Sequence, residues 1–217
     1  MKLLLCSEGF NTGELVKKCE ELVGKPRKDI NIAVINEAYA VEHDNNLRWV
    51  VNNLTLVEKN FGGKLELVNL LALSLDDVKK RIDYHDVIFV VGGHTDYLMN
   101  VFNKTGFSKL LPTLLKSKVY VGSSAGSMVM GERLSAKAYE IIYGERGDYG
   151  VSKYLELANL SIIPHLDSSR HPERKEQLAE LAKKHEGKIY GLCDDSAVVV
   201  DNNKISTVGS PPVVFNN

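Results

Sequence analysis

Short apolar runs alternate along the chain with segments in which apolar residues recur every three or four positions. The run from Val87 to Val91 is apolar throughout, which is typical of a strand covered on both faces of a parallel sheet. Runs of this kind predict the strands Lys2–Cys6, Ile30–Ile35, Lys64–Val68, Val87–Val91, Val119–Val121, Leu160–Ile163, Lys188–Leu192 and Ala197–Val200. The last strand and Lys204–Val208 flank Asp201-Asn202-Asn203, and this spacing predicts a hairpin.

Helical patterns fill several of the segments between these strands. Asn11 to Glu14 has the spacing of a capping box and predicts a helix that ends at Gly24. Apolar residues at positions 47, 50, 51, 54, 57 and 61 form a helical stripe within 41–61. Leu178 and Leu181 belong to a third stripe. The alternation predicts an α/β fold with a three-layer, doubly wound and mostly parallel sheet, whose site lies at the carboxyl ends of the strands.

Composition and charge narrow the classes of partner. The 217 residues carry a formal net charge of −1, and lysines and arginines are scattered, so a nucleic-acid surface is not expected. No apolar run approaches the ~18 residues that a membrane span needs. The length allows one or two domains, but neither a linker nor a change in composition interrupts the alternation. We therefore expect a single domain over residues 1–217 that acts on a small molecule.

The cysteines indicate the compartment. Cys6, Cys19 and Cys193 are odd in number and widely spaced, with no Cys-x-x-Cys pair. This pattern argues against a disulfide framework or a zinc knuckle. It favours a reducing compartment, and we expect the protein to be cytoplasmic.

The segment Gly122-Ser123-Ser124-Ala125-Gly126 follows the predicted strand Val119–Val121 and precedes residues compatible with a helix. A Gly-x-Ser-x-Gly sequence in this position is typical of a nucleophile elbow, in which the central serine stands on a sharp, strained turn. This pattern predicts Ser124 as a nucleophile. A plain tight turn, or a phosphate-binding loop at a helix N-terminus, is the alternative interpretation.

Paired glycines end another predicted strand. Gly92 and Gly93 follow Val91, and glycines there allow backbone N–H groups to approach a ligand closely, as an oxyanion hole requires. The N–H of Ala125, the residue after the candidate nucleophile, is the second expected donor. A simple β-to-α turn is the alternative.

His165 comes directly after the strand Leu160–Ile163 and Pro164, at the depth expected for a general base acting on Ser124. Its imidazole would take the serine proton and later give it to the leaving amine. A capping or core histidine is one alternative. A metal site formed with Asp167 and His171 is another, but their loop context does not favour it.

Two adjacent carboxylates, Asp194 and Asp195, follow the strand Lys188–Leu192. A charge at that depth is costly unless it is paired, so one of them is expected to orient the imidazole of His165. Capping or turn roles are the alternative. The order Ser124, His165, Asp194 differs from the Ser-Asp-His order of the usual α/β-hydrolases, which argues against that family.

Taken together, four motifs resemble the dipeptidase E (α-aspartyl dipeptidase) family of serine peptidases, which also includes the cyanophycinases. They are Val91-Gly92-Gly93-His94-Thr95, Gly122-Ser123-Ser124-Ala125-Gly126, Ile163-Pro164-His165 and Gly191-Leu192-Cys193-Asp194-Asp195. The resemblance covers most of the chain and implies a flavodoxin-like sheet related to class I glutamine amidotransferases.

The resemblance also implies roles for individual residues. It makes Ser124 the nucleophile, His165 the base, and Gly93 and Ala125 the oxyanion donors. Asp194 stands where the family has an acid that is often glutamate. Asp195 and Glu140 are alternative acids.

Some positions depart from the family pattern. His94 replaces the usual asparagine and is a candidate for lining the pocket, and Ser123 stands where an aromatic residue is frequent. Selection of an N-terminal aspartate needs a cation. Arg170 and Arg174 are candidates for that cation, although they do not align cleanly with the family arginine and also fit an ordinary charged helix start.

The sequence therefore predicts a cytoplasmic serine peptidase that hydrolyses short peptides, with Asp-X dipeptides as candidate substrates. It needs no metal or organic cofactor, and we expect a monomer or homodimer. A cyanophycinase-like or other amide hydrolase of the same fold is the first alternative. A binding domain without turnover is the second.

Overall fold

The computed structural model describes residues 1–42, 47–169, 172–183, 185–202 and 204–216. The strands are β1 (Lys2–Cys6), β2 (Ile32–Ile35), β3 (Leu65–Leu67), β4 (Val87–Val90), β5 (Val119–Ser123), β6 (Ser161–Ile163), β7 (Lys188–Gly191), β8 (Ala197–Asp201), β9 (Lys204–Val208) and β10 (Val213–Asn216). The α-helices are α1 (Gly13–Val23), α2 (Arg48–Asn60), α3 (Leu75–Asp83), α4 (Thr95–Thr105), α5 (Phe107–Leu114), α6 (Ala125–Met128), α7 (Ala136–Tyr143) and α8 (Arg174–Ala182).

A mostly parallel sheet forms the centre of the described part of the chain. Its strand order is β3-β2-β4-β5-β1-β8-β9, with β3, β2, β4, β5 and β1 parallel to one another. The hairpin of β8 and β9 joins the β1 edge in antiparallel orientation. The predicted α/β class and mostly parallel sheet are confirmed.

Apolar side chains on both faces of this sheet explain why its inner strands β1, β2 and β4 are apolar at nearly every position. Leu3 and Leu5 of β1 pack into one core cluster, and Leu4 and Cys6 pack into the other. Because successive side chains of a strand point to opposite faces, a strand between two helical layers must be apolar on both. Helix α1 contributes to the Leu4 side, whereas α3, α4 and α5 contribute to the Leu3 side.

The strands β6 and β7 lie outside the main sheet, a separation that the sequence pattern does not predict. They pair in parallel, and β10 adds to β7 in antiparallel orientation to form a small three-stranded sheet within the described residues. The β1 edge of the main sheet is already occupied by β8, so β6 and β7 cannot extend it there. Ile162, Ile163 and Ile189 instead pack into the same core cluster as Leu3.

Helix α1 begins one residue later than a capping box at Asn11 predicts. Its N-cap is Thr12, whose Oγ1 accepts from Leu15 N at 3.3 Å, and Gly24 ends it as predicted. Asn11 Nδ2 donates instead to the carbonyl oxygen of Asp194 at 2.7 Å. Within the helical stripe predicted for 41–61, α2 covers Arg48–Asn60, and positions 43–46 lie outside the described residues.

Chain segments that follow five strands meet beside the carboxyl edge of β1 and β5. They are Ser7 after β1, Gly92-Gly93 after β4, Ser124 after β5, His165 after β6 and Asp194 after β7. Such an edge is where α/β sheets bind ligands. No helix among the described residues is both long and apolar enough to cross a membrane.

Candidate active site

Ser124 stands alone between β5 and α6, in a backbone conformation that few residues other than glycine adopt. Its φ is 50° and its ψ is −116°. Its backbone N–H donates to Ser7 O at 2.9 Å and to Cys6 O at 3.2 Å, which ties the strained turn to the end of β1. Strain of this kind is held by surrounding contacts and concentrates at functional sites. The local geometry is that of the predicted elbow.

The glycine at position 126 is required by close approach of two chain segments. A β-carbon on Gly126 would lie 2.2 Å from the carbonyl oxygen of Val90, well inside any real contact. The first turn of α6 therefore packs directly against β4. This packing holds Ser124 beside the glycines that follow β4.

His165 is within hydrogen-bond distance of the Ser124 hydroxyl. Its Nε2 lies 3.1 Å from Ser124 Oγ. The backbone of His165 also has a positive φ, 61°, and its carbonyl oxygen accepts from Arg174 Nη1 at 2.9 Å. The imidazole is thus held against the serine by constraints on its own main chain.

Asp194 accepts a hydrogen bond from the other nitrogen of the same imidazole. His165 Nδ1 lies 2.5 Å from Asp194 Oδ1. A carboxylate on Nδ1 keeps the proton there, so Nε2 is left as the acceptor for the serine proton. Burial acts to raise the pKa of Asp194, but hydrogen bonds from His165 and Ser7 outweigh it, and the pKa lies below its usual value. Asp194 is therefore ionised at neutral pH.

The two alternative acids are engaged elsewhere. Asp195 Oδ2 accepts from Ser210 Oγ at 2.7 Å. Glu140 pairs with Lys137 at 2.7 Å on the exposed side of α7. Among the described residues, Asp194 is the acid that the structure brings into hydrogen-bond contact with His165.

Asp167, which the sequence offers as a metal ligand, accepts from the backbone N–H of Asp194 through Oδ1 at 3.0 Å. This contact shapes the turn that carries the acid. His171, the other proposed ligand, lies outside the described residues.

The glycine pair after β4 lies against Ser124, as an oxyanion loop requires. A β-carbon on Gly92 would lie 2.9 Å from Ser124 Cβ. Gly93 has a φ of +132°, and a β-carbon there would lie 2.4 Å from the backbone of Ala38. In the part of the chain that the structure describes, neither Gly93 N–H nor Ala125 N–H donates to a protein acceptor. Both amides are available to a ligand.

Two of the candidate substrate-binding residues, Arg174 and His94, have protein partners of their own. Arg174 is only 4% exposed, and its Nε donates to Ile142 O while its Nη1 donates to His165 O. The structure therefore gives Arg174, which lines the cavity, a role in holding the backbone of the base. Arg170 lies outside the described residues.

His94 is the N-cap of α4, and it lines the cavity from a largely buried position. Its Nδ1 accepts from Tyr97 N at 3.4 Å, and its Nε2 donates to the carbonyl oxygen of Arg146 at 3.0 Å. The imidazole is thereby held between α4 and the segment after α7.

A cavity of about 1010 Å³ opens over Ser124 and His165. Trp49 and Asn53 of α2 form part of one wall, and Tyr143, Glu145 and Tyr149 form part of another. No sequence motif marks these wall residues, because they lie in helix α2 and in the segment around the end of α7, away from the four motifs of the strand ends.

Ser7 is the polar residue of the site that motif reasoning misses most clearly. It is fully buried and hydrogen-bonds to His165, Asp194 and Ser124. The available signal is a hydroxyl residue directly after the first buried strand, at the same edge as the other candidates. A lone serine there has no motif to distinguish it from a turn residue.

The arrangement can carry out nucleophilic attack on an acyl group. A hydroxyl hydrogen-bonded to an imidazole, with the imidazole oriented by a carboxylate, is the arrangement that activates serine. Two free amide N–H groups beside the serine can stabilise a developing oxyanion.

Comparison with known proteins identifies the family of this chain. The family model described as peptidase family S51 matches residues 3–208. A Listeria monocytogenes protein named "Uncharacterized peptidase Lmo0363" is 25% identical over 154 residues, which cover 69% of this chain and 73% of that protein. A Pasteurella multocida protein named "Uncharacterized peptidase PM1590" is 24% identical over 105 residues, 48% of this chain and 51% of that protein.

Solved structures show the same fold. The "Putative Peptidase E Protein" from Listeria monocytogenes EGD-e superposes with a TM-score of 0.75 at 20% identity, covering 95% of this chain and 97% of that one. A peptidase from an acI-B1 Actinobacterium gives a TM-score of 0.66 at 15% identity, covering 99% and 93%. At these sequence identities the structural similarity is evidence for the fold alone.

Proposed function

This chain belongs to peptidase family S51, and from that premise we propose that it is a serine peptidase that cleaves short peptides through an acyl-enzyme. The observation that carries the proposal is the continuous hydrogen-bonded chain from Ser124 Oγ to His165 Nε2, 3.1 Å, and from His165 Nδ1 to Asp194 Oδ1, 2.5 Å. The family supports peptidase chemistry, and this chain of contacts supports serine as the nucleophile.

In the first half of the proposed reaction, Ser124 Oγ attacks the carbonyl carbon of the scissile peptide bond. His165 Nε2 takes the hydroxyl proton, and the ionised Asp194 stabilises the imidazolium that forms. The oxyanion accepts from the N–H groups of Gly93 and Ala125. When the C–N bond breaks, the imidazolium proton passes to the leaving nitrogen, which departs as an amine.

In the second half, water replaces the amine. His165 Nε2 takes a proton from water as the water oxygen attacks the ester carbonyl of the acyl-enzyme. The ester C–O bond then breaks, and the proton returns to Ser124 Oγ. The acyl group leaves as a carboxylic acid, and the enzyme is regenerated.

We propose peptides with an N-terminal aspartate as the preferred substrates. The cavity is lined by charges of both signs, including the cations Arg48, Arg146 and Arg174 and the acids Glu8 and Glu42. Arginine recognises carboxylates well, and a free peptide terminus adds an ammonium for the acids. Arg174 is bound to two backbone carbonyls, whereas the side chain of Arg146 is 82% exposed, which favours Arg146 for substrate recognition.

The domain organisation and the cellular location of the enzyme can also be inferred. We infer a single peptidase domain, since the family match spans residues 3–208. Cys6, Cys19 and Cys193 are free thiols, which supports a cytoplasmic location. Neither proposal depends on whether the protein is a monomer or a homodimer.

A fluorophosphonate probe tests the proposed chemistry. The wild-type protein is expected to be labelled at one residue and to hydrolyse peptides, and Ser124→Ala is expected to lose both activities. Ser152→Ala, which removes an exposed serine outside the cavity, is the matched control and should be labelled normally. A folded wild-type protein that neither reacts with probes nor cleaves any peptide would instead be a binding domain.

A further inference from the structure

Ser7 lies at the meeting point of the three candidate catalytic residues. In the main sheet, Cys6 is in register with Ser123 of β5 on one side and with Ala197 of β8 on the other. Ser7, the residue that follows β1, therefore lies between the turn that carries Ser124 and the turn that carries Asp194. Ser7 is 0% exposed, so substrate cannot contact it directly.

The hydroxyl of Ser7 bridges the base and the acid. His165 N lies 2.8 Å from Ser7 Oγ, and Ser7 Oγ lies 3.0 Å from Asp194 Oδ1. A backbone N–H can only donate, so the hydroxyl accepts from His165 and uses its single proton to donate to Asp194. Asp194 Oδ1 thus accepts from both the imidazole and Ser7. This arrangement favours the ionised carboxylate.

The main chain of Ser7 holds the nucleophile. Ser7 O accepts from Ser124 N at 2.9 Å, and Ser7 N donates to Ser196 O at 3.0 Å. Ser124 and His165 both have positive φ, at 50° and 61°. Backbone in that region is strained and persists only where neighbours hold it. Ser7 contributes a hydrogen bond to each of these two strained residues.

We propose that Ser7 is a positioning residue of the active site, which sets Ser124, His165 and Asp194 relative to one another through three hydrogen bonds. This inference rests on the proposed peptidase function. Ser7 does not touch the reacting atoms. It acts by keeping the imidazole in place and by giving the carboxylate its second donor.

The test compares Ser7→Ala with a matched loss of a buried hydroxyl. Ser161→Ala is the control, because Ser161 is 1% exposed and its hydroxyl bonds to Glu132 O and His185, away from Ser124 and Asp194. Ser7→Ala is expected to lower kcat by about 10- to 100-fold with KM within about 3-fold. The acid limb of its rate–pH profile moves to higher pH, because Asp194 loses a donor that stabilises its charge. Ser7→Thr, which keeps the hydroxyl, should recover most of kcat.

Two further measurements separate positioning from a general structural effect. In an Asp194→Ala background, Ser7→Ala should lower kcat much less than it does alone, because the two residues act as a unit. The downfield NMR signal of the His165 Nδ1 proton should shift in Ser7→Ala, because its acceptor loses a second donor, and stay in place in Ser161→Ala. This signal reports the geometry even if a substituted protein is inactive.

The results distinguish this inference from the function on which it rests. A folded wild-type protein without peptidase activity overturns the proposed function, and an NMR signal unchanged by Ser7→Ala then overturns the positioning role as well. An active wild type with a Ser7→Ala variant of normal kcat and pH profile overturns the positioning role alone. Equal losses of activity in Ser7→Ala and Ser161→Ala would also overturn it.

Discussion

His165 and Asp194 are separated by 29 positions in the sequence, yet Nδ1 of the one lies 2.5 Å from Oδ1 of the other. His165 follows β6 and Asp194 follows β7, and these two strands are parallel neighbours in the small sheet. The pairing of β6 with β7 therefore brings base and acid to the same edge. The main sheet supplies the nucleophile from β5.

Asp194→Asn is expected to lower kcat by about 1,000- to 10,000-fold while the fold is retained. An amide at this position would favour the wrong imidazole tautomer and could not stabilise the imidazolium. Asp195→Asn and Glu140→Gln alter the two alternative acids, which make no described contact with His165. The kcat of each should stay within about 3-fold of wild type. Steady-state kinetics on a peptide substrate measures all three variants. Normal activity in Asp194→Asn together with loss in either of the other two would identify a different acid.

Gly93→Ala is expected to lower kcat by about 100- to 1,000-fold through loss of one oxyanion donor. The new β-carbon would lie 2.4 Å from the backbone of Ala38 and would require a φ near +132°, so the loop must move. Gly13→Ala is the matched control, because a β-carbon in that helical position meets no atom within 4 Å. The kcat and the thermal stability of both variants are measured, and Gly13→Ala should keep the wild-type kcat. A fully active Gly93→Ala would show that the donor lies elsewhere.

Glu145→Gln is expected to change how stability depends on pH. Burial raises the pKa of Glu145 from 4.5 to about 7, against the opposing effects of nearby His94 and of hydrogen bonds from Thr95. The folded state keeps this proton to a higher pH than the unfolded state does. The free energy of unfolding of the wild type therefore falls as pH rises from 4.5 to about 7. Glutamine does not titrate. The substitution therefore removes this part of the decrease in the free energy of unfolding, on the order of 1–3 kcal/mol.

Denaturant unfolding at several pH values between 5 and 7 measures this effect. The free energy of unfolding of Glu145→Gln should gain on that of wild type as pH rises. Glu140→Gln is the control, since Lys137 lowers the pKa of that exposed carboxyl and both states are ionised in this range. If the free energies of unfolding of Glu145→Gln and wild type differed by the same amount at every pH, the raised pKa of Glu145 would be contradicted.

Arg133→Met is expected to destabilise the fold by about 3–5 kcal/mol. Arg133 makes a two-point contact with Asp96, with distances of 3.0 Å and 2.6 Å, and the two side chains are only 13% and 11% exposed. Removing the cation leaves a buried carboxylate whose remaining side-chain donor, within the described part of the chain, is Tyr154. The double variant Arg133→Met/Asp96→Leu should recover part of the loss. Equal stability of Arg133→Met and wild type would show that the pair contributes little.

Asp-X dipeptides are expected to be cleaved with a kcat/KM about 10- to 100-fold above that of Asn-X dipeptides, the neutral isosteres. The reason is that a charge-assisted hydrogen bond to arginine contributes about 1.5–3 kcal/mol. A panel of Asp-X, Glu-X, Asn-X and Ala-X peptides measures this preference, with Arg146→Gln and Arg48→Gln identifying the cation. Equal kcat/KM values for Asp-X and Ala-X would show that the enzyme does not recognise the aspartate carboxylate. They would not contradict the peptidase chemistry.

Much of the fold can be predicted from the sequence because its signals are local. Both-face burial makes β4 apolar throughout and β1 apolar after Lys2, and Gly24 ends α1 where the helical stripe ends. The separate sheet of β6, β7 and β10 could not be predicted in this way. Which strand occupies the β1 edge depends on a competition between distant segments, and β8 occupies it in this fold.

The sequence by itself determined which residues follow the strands, and so it placed Ser124, His165 and the pair Asp194-Asp195 among the candidates. Only the tertiary structure decided that Asp194, rather than its neighbour, contacts His165, and that Ser7 joins all three. The physical reason is that adjacent side chains in a turn point in different directions. Their partners are set by register and packing across the sheet, and a pattern of residue types does not contain that information.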